Sequence, residues 1–399
     1  MKDQIKSYLQ RLNHGEALEN VQADFVRECK DVDPSAIMQA EQELLREGTS
    51  IEELQRLCDV HSALFHGSAT DAQKLHSKDI QDQRLSAAAA LIQISGHPLQ
   101  TFTLENAALE KLIARARQAL ENNGISNELL DELRQIAIHY ARKGDLLYPH
   151  LKVQYGISGP SAVMWTVDDE IRDELNALAK QKHQKETDAW KQRLNAVLTR
   201  MEEMIYKESN ILFPNCALNF SEEEWYHIYR DAKDYAECFG IRGDSWEAAE
   251  AHLTDTASTA DTMSAEHAFT GSETRIHLPG GSLTLSQLTA MLNTIPLEIT
   301  FVDIDNVNRY FNEGPKVFKR PGMALDREVF TCHPPKIEEQ VRRIIGEFRA
   351  GNLDQVPVWM DKGGRTFLVT YYAVRDKQEQ YLGTLELVQD MEFAKEHFR

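Results

Sequence analysis

Long apolar runs are missing from this chain of 399 residues. No segment approaches the ~20 consecutive apolar residues that a bilayer-spanning helix needs, so the sequence predicts no membrane segment. The first residues, Met-Lys-Asp-Gln-Ile-Lys-Ser-Tyr, also lack the apolar core of a secretory signal peptide. We therefore expect a cytoplasmic protein without a membrane partner.

Cysteine and basic charge are scarce as well. The five cysteines are scattered and odd in number, which favours free thiols in a reducing compartment over a disulfide framework. The formal net charge of -19 would repel both nucleic acid and anionic lipid. The sequence therefore predicts no nucleic-acid partner.

The motifs of the common enzyme classes are absent from the sequence. It contains no phosphate-binding P-loop, no Gly-x-Ser-x-Gly elbow, no His-Glu-x-x-His pair, and no kinase or diguanylate-cyclase signature. We therefore expect a protein that is not an enzyme and that acts through partner binding or dimer geometry.

The clearest positive feature is a stretch that is present in two copies. His139-Tyr-Ala-Arg-Lys-Gly-Asp-Leu-Leu-Tyr-Pro149 aligns with Met204-Ile-Tyr-Lys-Glu-Ser-Asn-Ile-Leu-Phe-Pro214, 65 residues later. Apolar residues at three-to-four spacing predict a helix in each copy, which we expect the proline to end. Two helix pairs related in this way predict a four-helix bundle, with its first helix over residues 98–122. Ser221-Glu-Glu-Glu224 has the form of a capping box and predicts a further helix start.

Residues 85–235 resemble the hemerythrin-like (HHE) cation-binding bundles. In that family the second helix of each hairpin carries His-x-x-x-Glu before a Leu-Phe-Pro ending. Residues four apart share one helix face, so an imidazole and a carboxylate can hold iron together. The resemblance implies metal ligands at His97, His139 and Glu208.

Both copies depart from the family pattern. His139 is followed four residues later by Lys143 instead of a carboxylate, and Met204 stands where Glu208 would need a histidine. The ammonium of Lys143 would repel a cation and pair with Glu208 instead. We therefore expect low iron occupancy or no metal. Three further carboxylates are candidate substitute ligands: Glu105, Asp145 and Asp169.

Residues 1–82 predict short helices and resemble a helical domain of unknown function that precedes hemerythrin-like bundles in one bacterial family. Cys58 and His61 lie three apart on one face of a predicted helix. Two ligands do not close a coordination shell, so we interpret them as a buried thiol beside a half-exposed histidine rather than a metal site.

The C-terminal part of the sequence has a different character. Residues 240–274 are rich in Thr, Ser, Ala, Asp and Glu with little periodicity, which predicts a flexible acidic linker. Two strand signals, a long helix and three more strand signals then follow, after a hairpin at Gly280-Gly281. This order resembles a PAS domain over residues 275–392.

The fold class predicted from these segments is multidomain, combining α and α+β units. It comprises an N-terminal helical domain (1–82), a four-helix hemerythrin-like bundle (83–239), the acidic linker (240–274), and a PAS antiparallel sheet with flanking helices (275–392).

A PAS sheet curls around a pocket that can hold a haem, a flavin, a small acid or nothing. We expect aromatic and apolar residues of several elements to converge there: Phe301, Phe330, Phe348, Phe367, Val369 and Tyr371. Cys332 and His333 precede the long helix, at the rim, and both residue types can ligate haem iron. Adjacent residues do not easily face one iron together, and the alternative interpretation of Cys332 is a structural thiol.

These features predict a sensor or regulatory protein whose partner is another protein or a second copy bound through the PAS domain. Two alternatives stay open. One is a non-haem iron protein that handles oxygen, peroxide or nitric oxide, and the other is a metal-free scaffold. A di-iron centre needs about six or seven protein ligands, so the number of ligands that the bundle offers distinguishes an iron protein from a protein without metal.

Overall fold

The computed structural model describes residues 2–14, 16, 18–29, 43–44, 47, 49, 78–122, 124–157, 159–181, 187–254, 275–314 and 316–397. Two compact units are defined by their internal contacts, Met1–Glu247 and Ala248–Arg399. Cys58 and His61 lie outside the described residues. No helix among the described residues has both the length and the apolar character of a membrane span.

The described helices are α1 (Lys2–Asn13), α2 (Leu18–Cys29), α3 (Lys78–Ile92), α4 (Pro98–Asn122), α5 (Asn127–Arg134), α6 (Ile136–Leu146), α7 (Tyr148–Gln154), α8 (Gly159–Lys180), α9 (Asp188–Lys207), α10 (Phe213–Asn219), α11 (Glu222–Ala232), α12 (residues 247–254), α13 (Leu285–Thr294), α14 (Pro335–Arg349) and α15 (Glu392–His397). A π-helical turn, Glu208–Leu212, joins α9 to α10.

Helices α4, α6, α8 and α9 form the four long sides of the bundle. Each buries apolar side chains at three-to-four spacing, for example Leu99, Phe102, Leu109 and Ile113 on α4. Side-chain caps fix where several helices begin. The predicted capping box is confirmed, because Ser221 and Glu224 each accept a hydrogen bond from the other's backbone N–H.

Pro149 and Pro214 begin helices rather than end them. Pro149 lies in the first turn of α7, after a break at Leu147, and Pro214 lies in the first turn of α10, directly after the π-helical turn. The prediction that the repeated helix ends at its proline holds for the first copy, where α6 ends at Leu146, and was wrong for the second, where helical structure continues through Pro214. Each copy of the repeat instead passes into a helix of seven residues that its proline opens.

Residues 240–246 lie against the bundle, although the sequence predicted a flexible linker from residue 240 onward. The Ser95 hydroxyl donates a hydrogen bond to Asp244 (3.0 Å), and the Trp246 N–H donates one to the Tyr229 hydroxyl (3.1 Å). The large apolar side chain of Trp246 is buried, which explains why this polar stretch is held in place. Residues 255–274 lie outside the described part of the chain.

The second unit contains the strands β1 (Arg275–Leu278), β2 (Gly281–Thr284), β3 (Glu298–Asp303), β4 (Asn308–Phe311), β5 (Gln355–Lys362), β6 (Arg365–Arg375) and β7 (Tyr381–Asp390). Strands β1 and β2 form the hairpin predicted at Gly280-Gly281. The other five form one antiparallel sheet in the order β4-β3-β7-β6-β5. The fold class predicted from the sequence is therefore confirmed.

The strand register assigns side chains to two faces of this sheet. Phe367 and Tyr371 share the inner face, and Tyr371 pairs directly with Glu386 of β7. Phe301 pairs with Leu385, the neighbour of Glu386, and therefore lies on the opposite, outer face. The prediction that Phe301 lines the pocket was wrong by this one-residue offset.

Apolar clusters cover the inner face. Phe330 packs with Val302 of β3 and with Val341 and Ile345 of α14. Two further clusters are centred on Phe348 of α14 and on Phe367 with Val369 of β6. Five of the six residues predicted to converge therefore belong to these three clusters, and their enclosing of one pocket stays a prediction.

The packing at Gly96 gives the first prediction. Gly96 has φ +78°, and an added Cβ would lie 2.5 Å from backbone atoms of Ser245 and Trp246. Gly156 also has a positive φ, +65°, but nothing lies within 4 Å of its added Cβ. Gly156→Ala should lower the free energy of unfolding by about 1–2 kcal/mol, because alanine is strained in the left-handed backbone conformation. Gly96→Ala should cost about 1–3 kcal/mol more, because the chain at 245–246 must move.

Urea unfolding followed by tryptophan fluorescence measures this difference. Four of the five tryptophans, Trp165, Trp190, Trp225 and Trp246, belong to the first unit. Equal losses in the two variants would mean that residues 245–246 do not pack on Gly96.

Candidate functional site

Three cationic side chains project from one helix into the core of the bundle. His139, Arg142 and Lys143 lie on α6 at spacings of three and four residues, so they share one face. All three are buried, and Lys143 has no exposed surface. Buried charges of one sign need compensation from neighbouring elements.

The compensating carboxylates come from the other three long helices of the bundle. Glu105 lies on α4, Asp168 lies on α8, and Glu208 is the first residue of the π-helical turn after α9. All three are buried. π-Helical turns of this kind recur at functional sites in helices, because the extra residue shifts the side chains that follow.

Lys143 binds two of these carboxylates. Its Nζ donates to Asp168 Oδ1 at 2.9 Å and to Glu208 Oε1. The same ammonium lies 4.4 Å from the centre of the Tyr140 ring, a cation–π contact. The ion pair of Lys143 with Glu208 that the sequence predicted is confirmed.

His139 is hydrogen-bonded through both ring nitrogens. Its Nε2 lies 3.0 Å from Glu208 Oε2, and its Nδ1 lies 2.8 Å from Glu105 Oε2. Both neighbours are carboxylates that accept hydrogen bonds, so both nitrogens act as donors in the protonated ring. Asn106 Nδ2 also donates to Glu208 Oε2, at 2.8 Å.

The remaining carboxylate oxygens are also satisfied. Arg142 Nη1 donates to Glu105 Oε1 at 2.8 Å, and the Tyr148 hydroxyl donates to Asp168 Oδ2 at 2.9 Å. The result is a chain of alternating charge, which we call the charge cluster. Its members, in order of contact, are Asp168, Lys143, Glu208, His139, Glu105 and Arg142.

The protonation states follow from burial and from these neighbours. Burial opposes charge on Glu208, but Lys143 and His139 outweigh it and lower the Glu208 pKa to about 2. Burial likewise opposes charge on His139, and the attraction of Glu208 with the hydrogen bonds to Glu105 and Glu208 raises the His139 pKa to about 9. Burial also raises the pKa of Asp168, and the attraction of Lys143 with its hydrogen bond opposes that rise.

The charge cluster does not fit a metal ion. A coordinating imidazole must present an unprotonated nitrogen, and both nitrogens of His139 donate to carboxylates. Each oxygen of Glu105, Asp168 and Glu208 already accepts a hydrogen bond. In the part of the chain that the structure describes, no group of three or more His, Cys, Asp or Glu side chains is arranged to hold a metal ion.

His97, the third predicted metal ligand, lies in different surroundings. It precedes α4 by one residue and is about 12 Å along the helix axis from Glu105 at 1.5 Å per residue. Its ring packs between Trp225 and Trp246, each at 4.7 Å between ring centres. Its Nδ1 accepts from the Leu99 N–H (3.1 Å), and burial lowers its pKa to about 3. The structure thus brings His139 and Glu208 together and leaves His97 in an aromatic cluster.

The predicted substitute ligands have partners of other kinds. Asp145 accepts from the Tyr235 hydroxyl at 2.7 Å, and Asp169 pairs with Arg172 at 2.8 Å. Glu105 is the one member of that set that belongs to the charge cluster.

A second group of polar residues lies at the inner face of the five-stranded sheet. Arg320 Nη2 donates to Glu386 Oε1 at 2.6 Å, and Arg320 Nε donates to Thr300 Oγ1 at 3.2 Å. Thr300, Glu386 and Tyr371 are cross-strand neighbours on β3, β7 and β6. Burial, with the charge of Glu386, raises the pKa of Tyr371.

His333 has a defined tautomer. Its Nδ1 lies 2.7 Å from the carbonyl oxygen of Val329, which can only accept, so Nδ1 carries the hydrogen. Burial lowers the His333 pKa and keeps the ring neutral, with Glu386 and Arg320 among the charges that act on it. Its Nε2 therefore presents a lone pair.

Cys332 has separate surroundings. Its Sγ accepts a weak hydrogen bond from Asn308 Nδ2, on edge strand β4, at 3.7 Å. His333 instead hydrogen-bonds to the carbonyl oxygen of Val329. The two neighbouring residues therefore face different groups, and their roles as cofactor ligands stay a prediction.

The sequence named neither Asp168, Arg142 nor Arg320 as site residues. Asp168 stands in a run of three carboxylates, Asp168-Asp-Glu170, of which Asp168 and Asp169 are buried and Asp168 contacts Lys143. Arg142 follows His139 by three residues, a spacing that could have indicated it. Arg320 stands in an irregular stretch, and no periodicity marked it.

The two units thus define a protein with a helical bundle and a five-stranded antiparallel sheet flanked by helices. Sequence models of three families match the chain in succession. A family of unknown function (DUF438) matches residues 5–71, the hemerythrin HHE cation binding domain matches residues 97–216, and the PAS domain matches residues 288–392. The chain joins these three in the order that the sequence predicted.

Solved structures also match parts of the chain. A C-terminal domain from Streptococcus mutans is 38% identical and covers 31% of this chain and 97% of its own, with a TM-score of 0.30. A PAS domain from Colwellia psychrerythraea is 15% identical and covers 27% of this chain and 95% of its own, with a TM-score of 0.22. A sensory box sensor histidine kinase from Vibrio cholerae is 12% identical and covers 26% of this chain and 88% of its own, with a TM-score of 0.21. No curated protein matched.

The charge cluster gives the second prediction. Lys143→Met keeps most of the side-chain volume but removes the charge, which leaves Asp168 and Glu208 buried without their cation. We expect a loss of about 3–5 kcal/mol in the free energy of unfolding, as is typical when one partner of a buried pair is removed. Urea unfolding followed by tryptophan fluorescence measures it.

Lys111→Met is the matched control, because Lys111 is an exposed lysine on α4. It should change the stability by no more than about 0.5 kcal/mol. If both variants change the free energy of unfolding by the same small amount, the buried ion pairs of Lys143 do not stabilise the bundle.

Proposed function

We propose that this chain is a cytoplasmic regulatory sensor. Its PAS domain binds a small ligand at the inner face of the sheet, and its hemerythrin-like bundle serves as a scaffold without metal. The matches to the hemerythrin HHE and PAS families support a regulatory rather than a catalytic role. The alternative, an iron protein that handles oxygen, peroxide or nitric oxide, is not favoured because the donors of the charge cluster bind one another.

The observation that carries the ligand proposal is the orientation of His333. A histidine that donates Nδ1–H to a backbone carbonyl has the arrangement in which Nε2 ligates a metal or accepts a hydrogen bond. Arg320, which contacts Thr300 and Glu386 on the inner face of the sheet, carries a guanidinium that suits a carboxylate of the ligand. A haem with its propionates, or a small carboxylic acid, presents this chemistry.

Titration of the full-length protein with haem, followed by its absorption spectrum, and thermal shifts with small carboxylates test this proposal. His333→Ala should weaken binding by roughly tenfold or more, since a buried contact of this kind is lost. His277→Ala is the control, because His277 is exposed on β1 of the same unit. Equal ligand binding by His333→Ala and the wild type would show that His333 does not contact the ligand. No binding by the wild type would contradict the ligand proposal.

We also propose that the PAS domain binds a second copy of itself through the outer face of its sheet. Phe301, Leu385 and Tyr372 form a cross-strand row on this face, and all three are partly exposed. Trp359, on edge strand β5, extends the apolar surface and is 60% exposed. Apolar faces with an exposed tryptophan are typical of protein interfaces.

Sedimentation velocity over a range of concentrations tests the self-association. The wild type should form a dimer, and Trp359→Ser should weaken it by roughly tenfold or more, since interface tryptophans dominate binding energy. Phe393→Ser on α15 is the control, because Phe393 is 61% exposed but stands outside the sheet. A wild type that stays monomeric throughout would contradict self-association and leave a different protein as the partner.

A further inference from the structure

We propose that helix α6 supplies, as covalently attached side chains, the positive charge that the cation binding domain would otherwise take from a bound metal ion. Lys143 is the residue that decides this. Its ammonium fills the cation position between Asp168 and Glu208 and makes the bundle independent of metal.

The balance of charge supports this assignment. His139, Arg142 and Lys143 face Glu105, Asp168 and Glu208, so three cations meet three carboxylates in direct contact. An added divalent ion would give this buried cluster two uncompensated positive charges. Such charge in a low-dielectric core is strongly unfavourable.

The position of Lys143 also blocks entry. The ammonium is fully buried and contacts two carboxylates and the Tyr140 ring. A metal ion would have to displace it, and the displaced ammonium would lose all three interactions. The same contacts define what could replace it, namely a small cation with N–H donors or a metal ion that takes the two carboxylates as ligands.

Removal of the side chain beyond Cβ should therefore create a cation-binding site. Lys143→Ala removes Cγ, Cδ, Cε and Nζ, which together have the shape and charge of propylammonium. The vacated position keeps two carboxylates, Asp168 and Glu208, that the wild type pairs with Lys143.

Thermal unfolding of the full-length protein, followed by tryptophan fluorescence, tests the inference. Lys143→Ala should unfold at a lower temperature than the wild type. Propylammonium, or Mn²⁺ or Zn²⁺, at millimolar concentration should raise its midpoint by roughly 2–4 °C or more. Tetramethylammonium, which has the charge but no N–H donor, should not do so. Lys143→Met, in which the position stays filled, should not respond to any of these cations.

The wild type provides the independent measurement. Its midpoint should not rise with Fe²⁺, Mn²⁺ or Zn²⁺, and elemental analysis after dialysis against each metal should find far less than one ion per chain. Near-stoichiometric metal in the wild type would overturn the inference, as would a Lys143→Ala variant that no cation stabilises. If Lys143→Ala does not fold, refolding from urea with and without propylammonium replaces the thermal test. Recovery only with the amine supports the inference, and no recovery with it contradicts it.

Discussion

The ion pairs of Lys143 with Glu208 and Asp168 determine how the bundle can be built. A lysine without exposed surface is tolerated only where carboxylates neutralise it, and these carboxylates come from two other helices. Helices α6, α8 and α9 must therefore meet in one register for any of the three charges to be satisfied. Apolar packing alone would permit sliding between helices, whereas hydrogen bonds of defined length do not.

The irregular parts of the helices serve this arrangement. Glu208 begins a π-helical turn rather than continuing α9, and the turn leads into the proline-led helix α10. Pro149 has the equivalent place as the second residue of α7, three residues after α6 ends. Both copies of the repeat thus pass into a short helix directly after the segment that carries their charged residue. In each short helix the proline ring holds its own φ near the helical value.

Local signals in the sequence were sufficient for much of the fold. The helix over 98–122, the Ser221 capping box and the Gly280-Gly281 hairpin each depend on residues close together in the chain, and each is present. The pair of Lys143 with Glu208 was also predictable, because the repeat places both on corresponding helix faces. Features that depend on tertiary packing were not predictable from the sequence. The face of Phe301 depends on a strand register that one residue reverses, and the burial of Trp246 depends on a surface of the bundle that no local pattern describes.

The alternation of charge also makes the two halves of the duplicated unit unequal. The first half carries His139, Arg142 and Lys143 against one carboxylate, Glu105, while the second half carries only Asp168 and Glu208. One half has an excess of two positive charges and the other an excess of two negative charges. Two copies of either half would therefore repel each other across a common core. The two hairpins are complementary in charge, so neither could take the place of the other in the bundle.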